Sequence, residues 1–409
     1  MSSWKECKLG DLITHKKGFA FKSKDFKPEG HRVVKVKDFT SNSIDISKCE
    51  FLDESIANQF YDYKLKINDI IIATVGSWPS NPASIVGKVI KVPKNAKDSL
   101  LNQNAVRLRS TEKINQLYLY YKLRTTEFSD YLIAGAQGSA NQASITLNDI
   151  FNYSFELPPL EEQKAIAEIL SSLDDKIDLL HRQNQTLESL AQTIFRQWFI
   201  EEAKEEWEEI KLGDFVDCIT GYSYKSDHLN DSNNALVTLK NFARDGSFRL
   251  DGFKEFTGTK YKDSQIVKHG DLVVSHTDIT QEADIIGNPV LVVDMGRYDN
   301  LIITMDLMKV ESKIDWLSKE FLYYLFRTED FKFHCLGNSN GTTVLHMSRK
   351  TIPEYKIKIP NIKRIEDFTN DVKEILQKQY VNILQIQTLE NLRDTLLPKL
   401  LSGEVRVKI

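Results

Sequence analysis

The amino-acid sequence predicts an α+β protein in which two mixed α/β domains, each a curved or barrel-like sheet with helices, are separated by two long helices that form an antiparallel coiled coil. Three observations lead to this prediction: the chain contains an internal pseudo-two-fold repeat, each copy carries short strand-like runs, and each copy ends in a long helical segment. A chain of 409 residues is long enough for several domains. The expected boundaries are 1–157 for the first mixed domain, 158–206 for a central helical region, 207–360 for the second mixed domain and 361–409 for a C-terminal helical region.

The repeat is visible without gaps at the start of each copy. The segment WKECKLGDLITHKKGFAFKSKDF (4–26) matches WEEIKLGDFVDCITGYSYKSDHL (207–229) at a constant offset of 203 residues, and nine of the 23 pairs are identical. Solenoid and propeller repeats have units of about 20–50 residues. The repeating unit here is therefore a whole domain.

Each copy contains runs that are rich in valine and isoleucine and bounded by Asn, Gly, Pro or Ser, which is typical of short strands. The predicted strands are 31–39, 69–75, 87–92 and 105–110 in the first copy, and 235–242, 270–276, 288–294 and 303–310 in the second. One helix is predicted after the strands of each copy, over 114–128 and 316–331, and both contain a Tyr-Tyr pair at the same offset of 203 residues. Several short strands with one or two helices indicate an α+β domain.

Two long segments, 158–199 and 362–405, carry apolar residues at heptad spacing, which predicts long helices that bury one face. The expected helix-pairing residues are Leu170, Leu173, Ile177, Leu180, Leu187, Ile194, Val372, Ile375, Ile386, Leu389 and Leu396. The two helices can cover each other's apolar face as an antiparallel pair, and about 40 residues make a rod of roughly 60 Å. Asn184 falls on the apolar seam, where it either sets the helix register or marks an exposed gap.

Charge and motifs narrow the class of function. The formal net charge is −4, but it is uneven: 1–157 has 22 Lys+Arg against 17 Asp+Glu, or +5, whereas 207–360 has 19 against 23, or −4. We find no nucleotide-binding, zinc-protease or serine-hydrolase motif, and no histidines at metal-ligand spacing, so we expect neither catalytic residues nor a metal site. The four cysteines are scattered and predict single thiols. No apolar run could span a membrane and no leader is visible, so the expected location is the cytoplasm.

Three stretches carry a resemblance to a known family. They are W-x-x-x-x-LGD followed by G-[FY]-x-[FY]-K-S at both repeat starts, LPPLEEQKAIAEIL with LESLAQTIFRQWF in the first long helix, and LRDTLLPKLLSGEV near the C-terminus. Over essentially its full length, the chain resembles the specificity subunit of type I restriction-modification systems.

The resemblance implies two target-recognition domains, each reading one half of a split double-stranded DNA sequence. It also implies a coiled coil that separates them and docks a pair of modification (methyltransferase) subunits, with restriction subunits joining outside. No cofactor is then expected on this chain, because S-adenosylmethionine, ATP and Mg²⁺ would be bound by the partner subunits. The alternative, favoured slightly by the acidic balance of 207–360, is a coiled-coil adaptor that joins proteins and does not touch DNA.

We expect the DNA contacts in polar loops where the copies differ most. Lysine suits phosphates, Asn and Gln can bind adenine edges, and Arg can bind guanine, although Asn, Ser and Gly are also ordinary loop residues. The first-copy loops are 14–24, 76–84, 102–105 and 135–144, with candidates Lys16, Lys17, Lys22, Lys24, Ser77, Asn81, Gln103, Asn104, Gln137, Ser139, Asn141 and Gln142. The second-copy loops are 220–226, 238–246, 275–284 and 337–343, with candidates Tyr222, Tyr224, Lys225, Lys240, Asn241, His276, Thr277, Thr280, Asn338, Asn340, Thr342 and Thr343. Tyr222 and Tyr224, like Phe19 and Phe21, alternate with period two, which favours a core position over base stacking.

Overall fold

The structure is a computed structural model that describes residues 4–40, 42–78, 84–139, 142–280 and 282–408. The chain forms two compact units. Unit 1 comprises Met1–Asp178 and Thr388–Ile409, and unit 2 comprises Leu179–Gln387. We call residues 4–157 the first head and residues 207–360 the second head.

The first head is built from short, mostly antiparallel strands. They are β1 (Lys5–Lys8), β2 (Ile13–Lys17), β3 (Phe26–Lys27), β4 (His31–Val34), β5 (Glu50–Leu52), β6 (Ile70–Ala73), β7 (Val75–Gly76), β8 (Val89–Lys91), β9 (Leu100–Leu101), β10 (Ala105–Ser110), β11 (Gln137–Ser139), β12 (Gln142–Ser144) and β13 (Ser154–Leu157). Four-stranded sheets have the orders β2-β10-β6-β8 and β3-β5-β4-β9, a three-stranded sheet is β11-β12-β7, and β1 pairs with β13. The helices are α1 (Glu54–Ala57), α2 (Gln116–Lys122), α3 (Thr126–Gly135) and α4 (Leu147–Asn152).

The second head repeats this plan. Its strands are β14 (Glu208–Lys211), β15 (Val216–Thr220), β16 (Asn234–Val237), β17 (Lys254–Glu255), β18 (Ile266–Val267), β19 (Leu272–Ser275), β20 (Thr277–Asp278), β21 (Pro289–Leu291), β22 (Asn300–Ile303), β23 (Leu307–Ser312), β24 (Ser339–Asn340), β25 (Leu345–Met347) and β26 (Lys356–Ile359). The sheets are β15-β23-β19-β21, β17-β16-β22-β18, β20-β25-β24 and β14-β26. The helices of the second head are α6 (Lys319–Phe326), α7 (Glu329–Gly337) and α8 (Thr351–Glu354). The two long helices are α5 (Leu160–Arg196), which continues in one π-helical turn (Gln197–Glu201), and α9 (Ile362–Ser402).

In the sheets β2-β10-β6-β8 and β15-β23-β19-β21, the inner strands β6 and β19 are buried on both faces. In β6, Ile70 and Ile72 join the core beneath the helices, whereas Ile71 and Ala73 join a second core on the other face. Side chains alternate across a strand, so a sheet covered on both faces needs an uninterrupted apolar run. The sequence IIIA supplies that run, and each head is therefore layered around its sheet.

Three predicted elements are each divided in two in the structure. The helix predicted over 114–128 is two helices, α2 and α3, because the Thr125 side chain accepts a hydrogen bond from the backbone N–H of Phe128 and caps a new helix. Thr328 does the same for α7, so the helix predicted over 316–331 also divides. The predicted strand 303–310 is instead the end of β22, a turn, and the start of β23.

Within each unit, the segments of α5 and α9 run antiparallel. In unit 1, Asp174 of α5 pairs with Arg393 of α9, and Glu162 near the start of α5 pairs with Arg406 just after the end of α9, so the numbering falls along α9 as it rises along α5. In unit 2, Asn382 donates to Gln183 and Gln379 donates to Glu188, so the numbering again falls along α9 as it rises along α5. The prediction of an α+β protein with two domain repeats and two long antiparallel helices is confirmed. Among the described residues, no helix is long and apolar enough to cross a membrane.

The helix-pairing candidates are all at least half-buried. Buried are Leu170, Ile177, Leu180, Val372 and Ile386, and half-buried are Leu173, Leu187, Ile194, Ile375, Leu389 and Leu396.

Asn184 lies in a polar layer between the two helices of unit 2. Its side-chain oxygen accepts a 2.7 Å hydrogen bond from Asn382, which is completely buried, and Gln379 donates to its backbone oxygen at 3.1 Å. Of the two alternatives for Asn184, the structure therefore shows an interhelical polar contact rather than an exposed gap.

Candidate nucleic-acid interface

In the first head, Gly18 packs against the tight turn 102–104 at the base of the candidate surface. We call this glycine and turn, and their counterparts in the second head, the root of the surface. Gly18 donates its N–H to Ala105, and Phe19 donates to Leu101, so the loop after β2 lies directly on the turn 102–104. A methyl group on Gly18 would overlap the backbone of Asn102, and only glycine allows so close an approach. Two of the predicted DNA-binding loops, 14–24 and 102–105, thus meet here.

The same turn reaches the three-stranded sheet. Thr74 donates its N–H to the carbonyl oxygen of Asn104 at 2.8 Å, and β7 follows immediately. In that sheet β12 pairs with both β7 and β11, which joins the predicted loops 76–84 and 135–144. The described parts of the four loops predicted from the first copy are therefore joined to one another by backbone hydrogen bonds.

The second head builds the same surface from different side chains. Gly221 donates to Leu307, and Tyr222 donates to Ile303 and accepts from the N–H of Met305. His276 then donates its N–H to Asp306 at 2.7 Å, next to the sheet β20-β25-β24. This sheet joins the predicted loops 275–284 and 337–343.

The lysine candidates lie mostly in solvent. Lys17, Lys22, Lys24, Lys225 and Lys240 are exposed. Lys16 is half-buried instead: its ammonium lies 4.6 Å from the centre of the Tyr63 ring and 3.7 Å from Asp62. Lys16 therefore contributes less free positive charge to the surface than its neighbours.

The polar candidates of the first head surround the turn and the three-stranded sheet. Gln137 and Gln142 are exposed on β11 and β12, while Ser77, Gln103 and Asn104 are half-buried. Asn81 and Asn141 lie outside the described residues, and only the backbone of Ser139 is described. In the second head Asn338, Asn340, Thr342 and Thr343 are all exposed around β24.

Some candidates of the second head are interior residues, which corrects the expectation for them. Asn241 is completely buried: its amide oxygen accepts from the N–H of Thr238 and its amide nitrogen donates to the carbonyl oxygen of Arg249, both at 2.8 Å. Both hydrogen-bonding atoms hold a turn, so a base contact would need this turn to open. Thr277 is 4% exposed and its hydroxyl lies 3.2 Å from His346 Nδ1, which ties β20 to β25.

Three further candidates have structural partners. Thr280 is half-buried, and its hydroxyl accepts from the N–H of Asp284. Tyr222 packs against Phe256 with ring centres 5.6 Å apart, and the Tyr224 hydroxyl accepts from Lys254 at 3.0 Å. Both tyrosines contact a small apolar core, as their period-two alternation favoured.

His276 is half-buried beside the three-stranded sheet. Burial lowers the pKa of its imidazole, and the nearby Arg349 lowers the pKa further. His276 is therefore neutral at pH 7 and can offer an acceptor or a donor rather than a charge.

Sequence reasoning missed two cations. Arg349 and Lys350 are exposed just after β25, three and two residues before the buried Ile352. Neither side chain forms an ion pair or hydrogen bond with any part of the chain that the structure describes. The adjacent Arg-Lys pair in the sequence is a signal for a DNA contact. The predicted loop ends at Thr343, however, and the sequence does not predict β25, the strand that follows it.

These features are those of an internally duplicated protein with two heads, each of which carries exposed polar side chains suited to nucleic acid and is joined to a segment of an antiparallel helix pair. Among the described residues, no group of three or more His, Cys, Asp or Glu side chains could hold a metal ion. The surfaces offer lysines for phosphates and amide side chains for base edges.

The chain belongs to the family of type I restriction modification DNA specificity domains, whose family model matches residues 1–189 and 204–396. It is similar to the type I restriction enzyme MjaVIII specificity subunit of Methanocaldococcus jannaschii, with 24% identity over 99% of this chain and 93% of the relative. It is also similar to the MjaIX specificity subunit of the same organism, with 25% identity over 71% of this chain and 69% of the relative.

A crystal structure of the type I restriction-modification S subunit from M. genitalium has the same fold. The TM-score is 0.60 at 17% identity, and the match covers 98% of this chain and 96% of that one. The resemblance inferred from the sequence is thus confirmed, and the role that the family defines for the chain is DNA specificity rather than catalysis.

Proposed function

We propose that each head reads one half of a bipartite DNA target. The observation that carries the proposal is the duplication of one surface with mostly different side chains. The glycine, the turn and the three-stranded sheet recur, while most exposed residues on them differ, apart from the pairs Lys22/Lys225 and Ser23/Ser226. Shared roots would hold both heads against DNA in the same way, and the divergent side chains would read different bases. Duplex half-sites that face one side of DNA lie about 34 Å apart per helical turn.

The two long helices would set the spacer between the half-sites and dock the other subunits. We propose that two modification subunits bind along the helices and that restriction subunits join them. In support, apolar side chains are exposed on the helices: Leu179 and Leu190 on α5 are 50% and 49% exposed, and Val381 on α9 is 44% exposed. Apolar side chains left exposed on these helices could pack against a partner protein.

A selection experiment tests the proposal. The chain is assembled with its modification subunit and incubated with a library of randomised duplexes, and bound molecules are sequenced. We expect two short blocks of defined bases around a spacer of fixed length and undefined sequence. Recovery of an unselected library would contradict DNA reading and favour a protein adaptor.

A separate experiment tests whether the length of the two long helices sets the spacer between the half-sites. Four residues inserted into α5 between Asp174 and Glu188, with four added to the facing part of α9, lengthen the helix pair by about 6 Å. The selected spacer should become longer while both base blocks keep their sequence. The same four residues inserted at the exposed link 203–206 provide the matched control, and an unchanged spacer in the helix variant would argue against this role of the helices.

A further inference from the structure

In each unit, one carboxylate of α5 lies where the head meets both long helices. In unit 1 this residue is Asp174, whose side chain is 14% exposed. One oxygen accepts a 2.8 Å hydrogen bond from the Tyr121 hydroxyl of the head, and the other accepts a 3.0 Å hydrogen bond from Arg393 of α9. Asp174 therefore joins the head, α5 and α9 through a single side chain.

In unit 2 the corresponding residue is Glu188, whose side chain is 21% exposed. The guanidinium of Arg327, from the head, lies 3.2 Å from one oxygen. The other oxygen is 3.5 Å from the Tyr324 hydroxyl and accepts a 3.3 Å hydrogen bond from Gln379 of α9. The head, α5 and α9 again meet at one carboxylate.

The tyrosines are equivalent, because Tyr121 and Tyr324 are related by the repeat offset of 203 residues. Both are buried, and burial together with the adjacent carboxylate raises the pKa of each hydroxyl. Each hydroxyl therefore stays protonated and can donate. The carboxylates, in contrast, both lie on α5, 14 residues or two heptads apart, so the head anchors occupy the same heptad position of one helix.

These contacts are suited to fixing an orientation. Apolar packing between a head and a helix is non-directional, whereas a hydrogen bond to a half-buried carboxylate needs a narrow range of angles. Hydrogen bonds to charged groups are also the stronger ones, and removing a single partner leaves the other unsatisfied. Two oxygens that accept from different elements hold the head relative to both helices at once.

We propose that Asp174 and Glu188 are positioning residues that set the orientation of each head on the helix pair and thereby restrict the protein to one spacer length. The proposal rests on the proposed function, since it concerns how two heads are held for a bipartite target. The head-helix contacts would act together with the length of the helices. Without these two carboxylates, the heads would be held by apolar packing and by the remaining hydrogen bonds, such as that from Trp4 to Glu162 in unit 1, and would accept neighbouring spacers more readily.

Tyr121→Phe tests this in the assembled complex with the modification subunit. The variant keeps the buried ring and removes only the hydroxyl that reaches Asp174. Binding is measured to duplexes that carry the selected half-sites with the preferred spacer, and with spacers one base pair shorter and longer. We expect the preference for the correct spacer to fall by roughly tenfold, the effect of losing one hydrogen bond to a charged group, while the bases selected in each half-site stay the same.

Tyr120→Phe is the matched control. Tyr120 is the adjacent buried tyrosine of the same helix, and its hydroxyl accepts from Arg124 inside the head rather than from the helix pair. It should leave the spacer preference unchanged. Glu188→Gln, which keeps the size of the side chain, should relax the spacer preference from the other head and covers the case in which Tyr121→Phe does not fold.

The outcomes separate the two proposals. A wild-type complex that selects no bipartite site overturns the proposed function, and the positioning role with it. A wild-type complex with a sharp spacer, together with equally sharp profiles for Tyr121→Phe and Glu188→Gln, overturns the positioning role alone. Equal loss of binding at every spacer would show that the residues only stabilise the fold, and would also overturn it.

Discussion

The two heads share a scaffold but place their charge differently. At the glycine loop, Lys17, Lys22 and Lys24 of the first head correspond by the offset of 203 residues to Thr220, Lys225 and Asp227 of the second. The three-stranded sheet shows the reverse. Strand pairing there relates the two copies by 202 residues, so Arg349 and Lys350 of the second head stand where the first head has Leu147 and Asn148. The positive charge has moved from one loop of the surface to another, while the backbone has not.

The turn at the centre of the surface differs in the same way. Gln103 and Asn104 of the first head occupy the place of Met305 and Asp306 in the second, and Met305 is 49% exposed. An amide can bind a base edge by hydrogen bonds, whereas an apolar side chain can contact a thymine methyl group. The comparison teaches that a fixed backbone root can present different chemistry to each half of a target, which also explains why a mildly acidic second head is compatible with DNA reading.

The largest effect is expected from the shared root. A side chain at Gly18 or Gly221 would overlap the backbone of Asn102 or Thr304, so Gly18→Val and Gly221→Val must displace the turn of one head. Complete specific sites bind about 1,000-fold or more above nonspecific DNA, so losing one half should cost roughly 30-fold or more in affinity. Titration with duplexes in which one half-site is scrambled should assign each loss to its own head.

Ala203→Val is the control for these variants, because Ala203 is exposed in the link 203–206, outside both heads. It should bind both half-sites as the wild type does. If Gly18→Val weakened both half-sites equally, the heads would not be separate readers.

A smaller effect is expected at Arg349. If this exposed guanidinium binds a guanine edge, Arg349→Ala should relax the preference at one position of the second half-site by about 1–3 kcal/mol. The selected sequences of the first half-site should not change. Lys350→Ala serves as the neighbour control, and a uniform loss at all sequences in Arg349→Ala would show a phosphate contact instead.

The exposed lysines of the first head should mainly affect how strongly DNA binding depends on salt concentration. Lys22→Gln with Lys24→Gln removes two exposed charges from the glycine loop, and each phosphate contact contributes about 0.9 to the slope of log K against log salt. The slope should become shallower by up to about 1.8 with the selected bases unchanged. Lys363→Gln, an exposed lysine at the start of α9, should leave the slope as it is.

The smallest expected effect is on the pH dependence of the protein's stability. The pKa of His276 is lowered from 6.5 in the folded protein, so below about pH 6.5 the unfolded chain binds a proton that the folded chain does not. Stability that is present above this pH is therefore lost as the pH falls through it towards the lower folded-state pKa. In His276→Gln the decrease in unfolding temperature between about pH 7.5 and about pH 5.5 should be smaller than in the wild type, as calorimetry would show. An equal decrease would exclude His276 as a source of pH dependence.

The sequence predicts well whatever depends on local pattern. The offset of 203 residues indicates two heads, and the heptads indicate α5 and α9, because periodic burial is written directly into the chain. The break between α2 and α3 was also readable, since Thr125 precedes Glu127 and a capping threonine followed by an acid marks a helix start. Asn184 could not be decided locally, because its partner Asn382 is 198 residues away.

The candidate surface depends on long-range contacts, and the sequence therefore predicts its loops better than its residues. The loops meet because the turn 102–104 contacts both Gly18 and Thr74, and no local signal encodes that meeting. Asn241 resembles a loop residue but satisfies two backbone groups in the interior. Arg349 lies beyond the predicted loop because the chain returns along β25 before reaching the surface.

The most direct test of separate reading uses the exposed amides of each three-stranded sheet. Gln137→Ala with Gln142→Ala alters the first head, and Asn338→Ala with Asn340→Ala alters the second. Bound duplexes from a randomised library are sequenced for the wild-type complex and for both variants. We predict that each pair of substitutions changes one block of selected bases and leaves the other block and the spacer unchanged; if either pair changed both blocks together, the account of two independent heads would be contradicted.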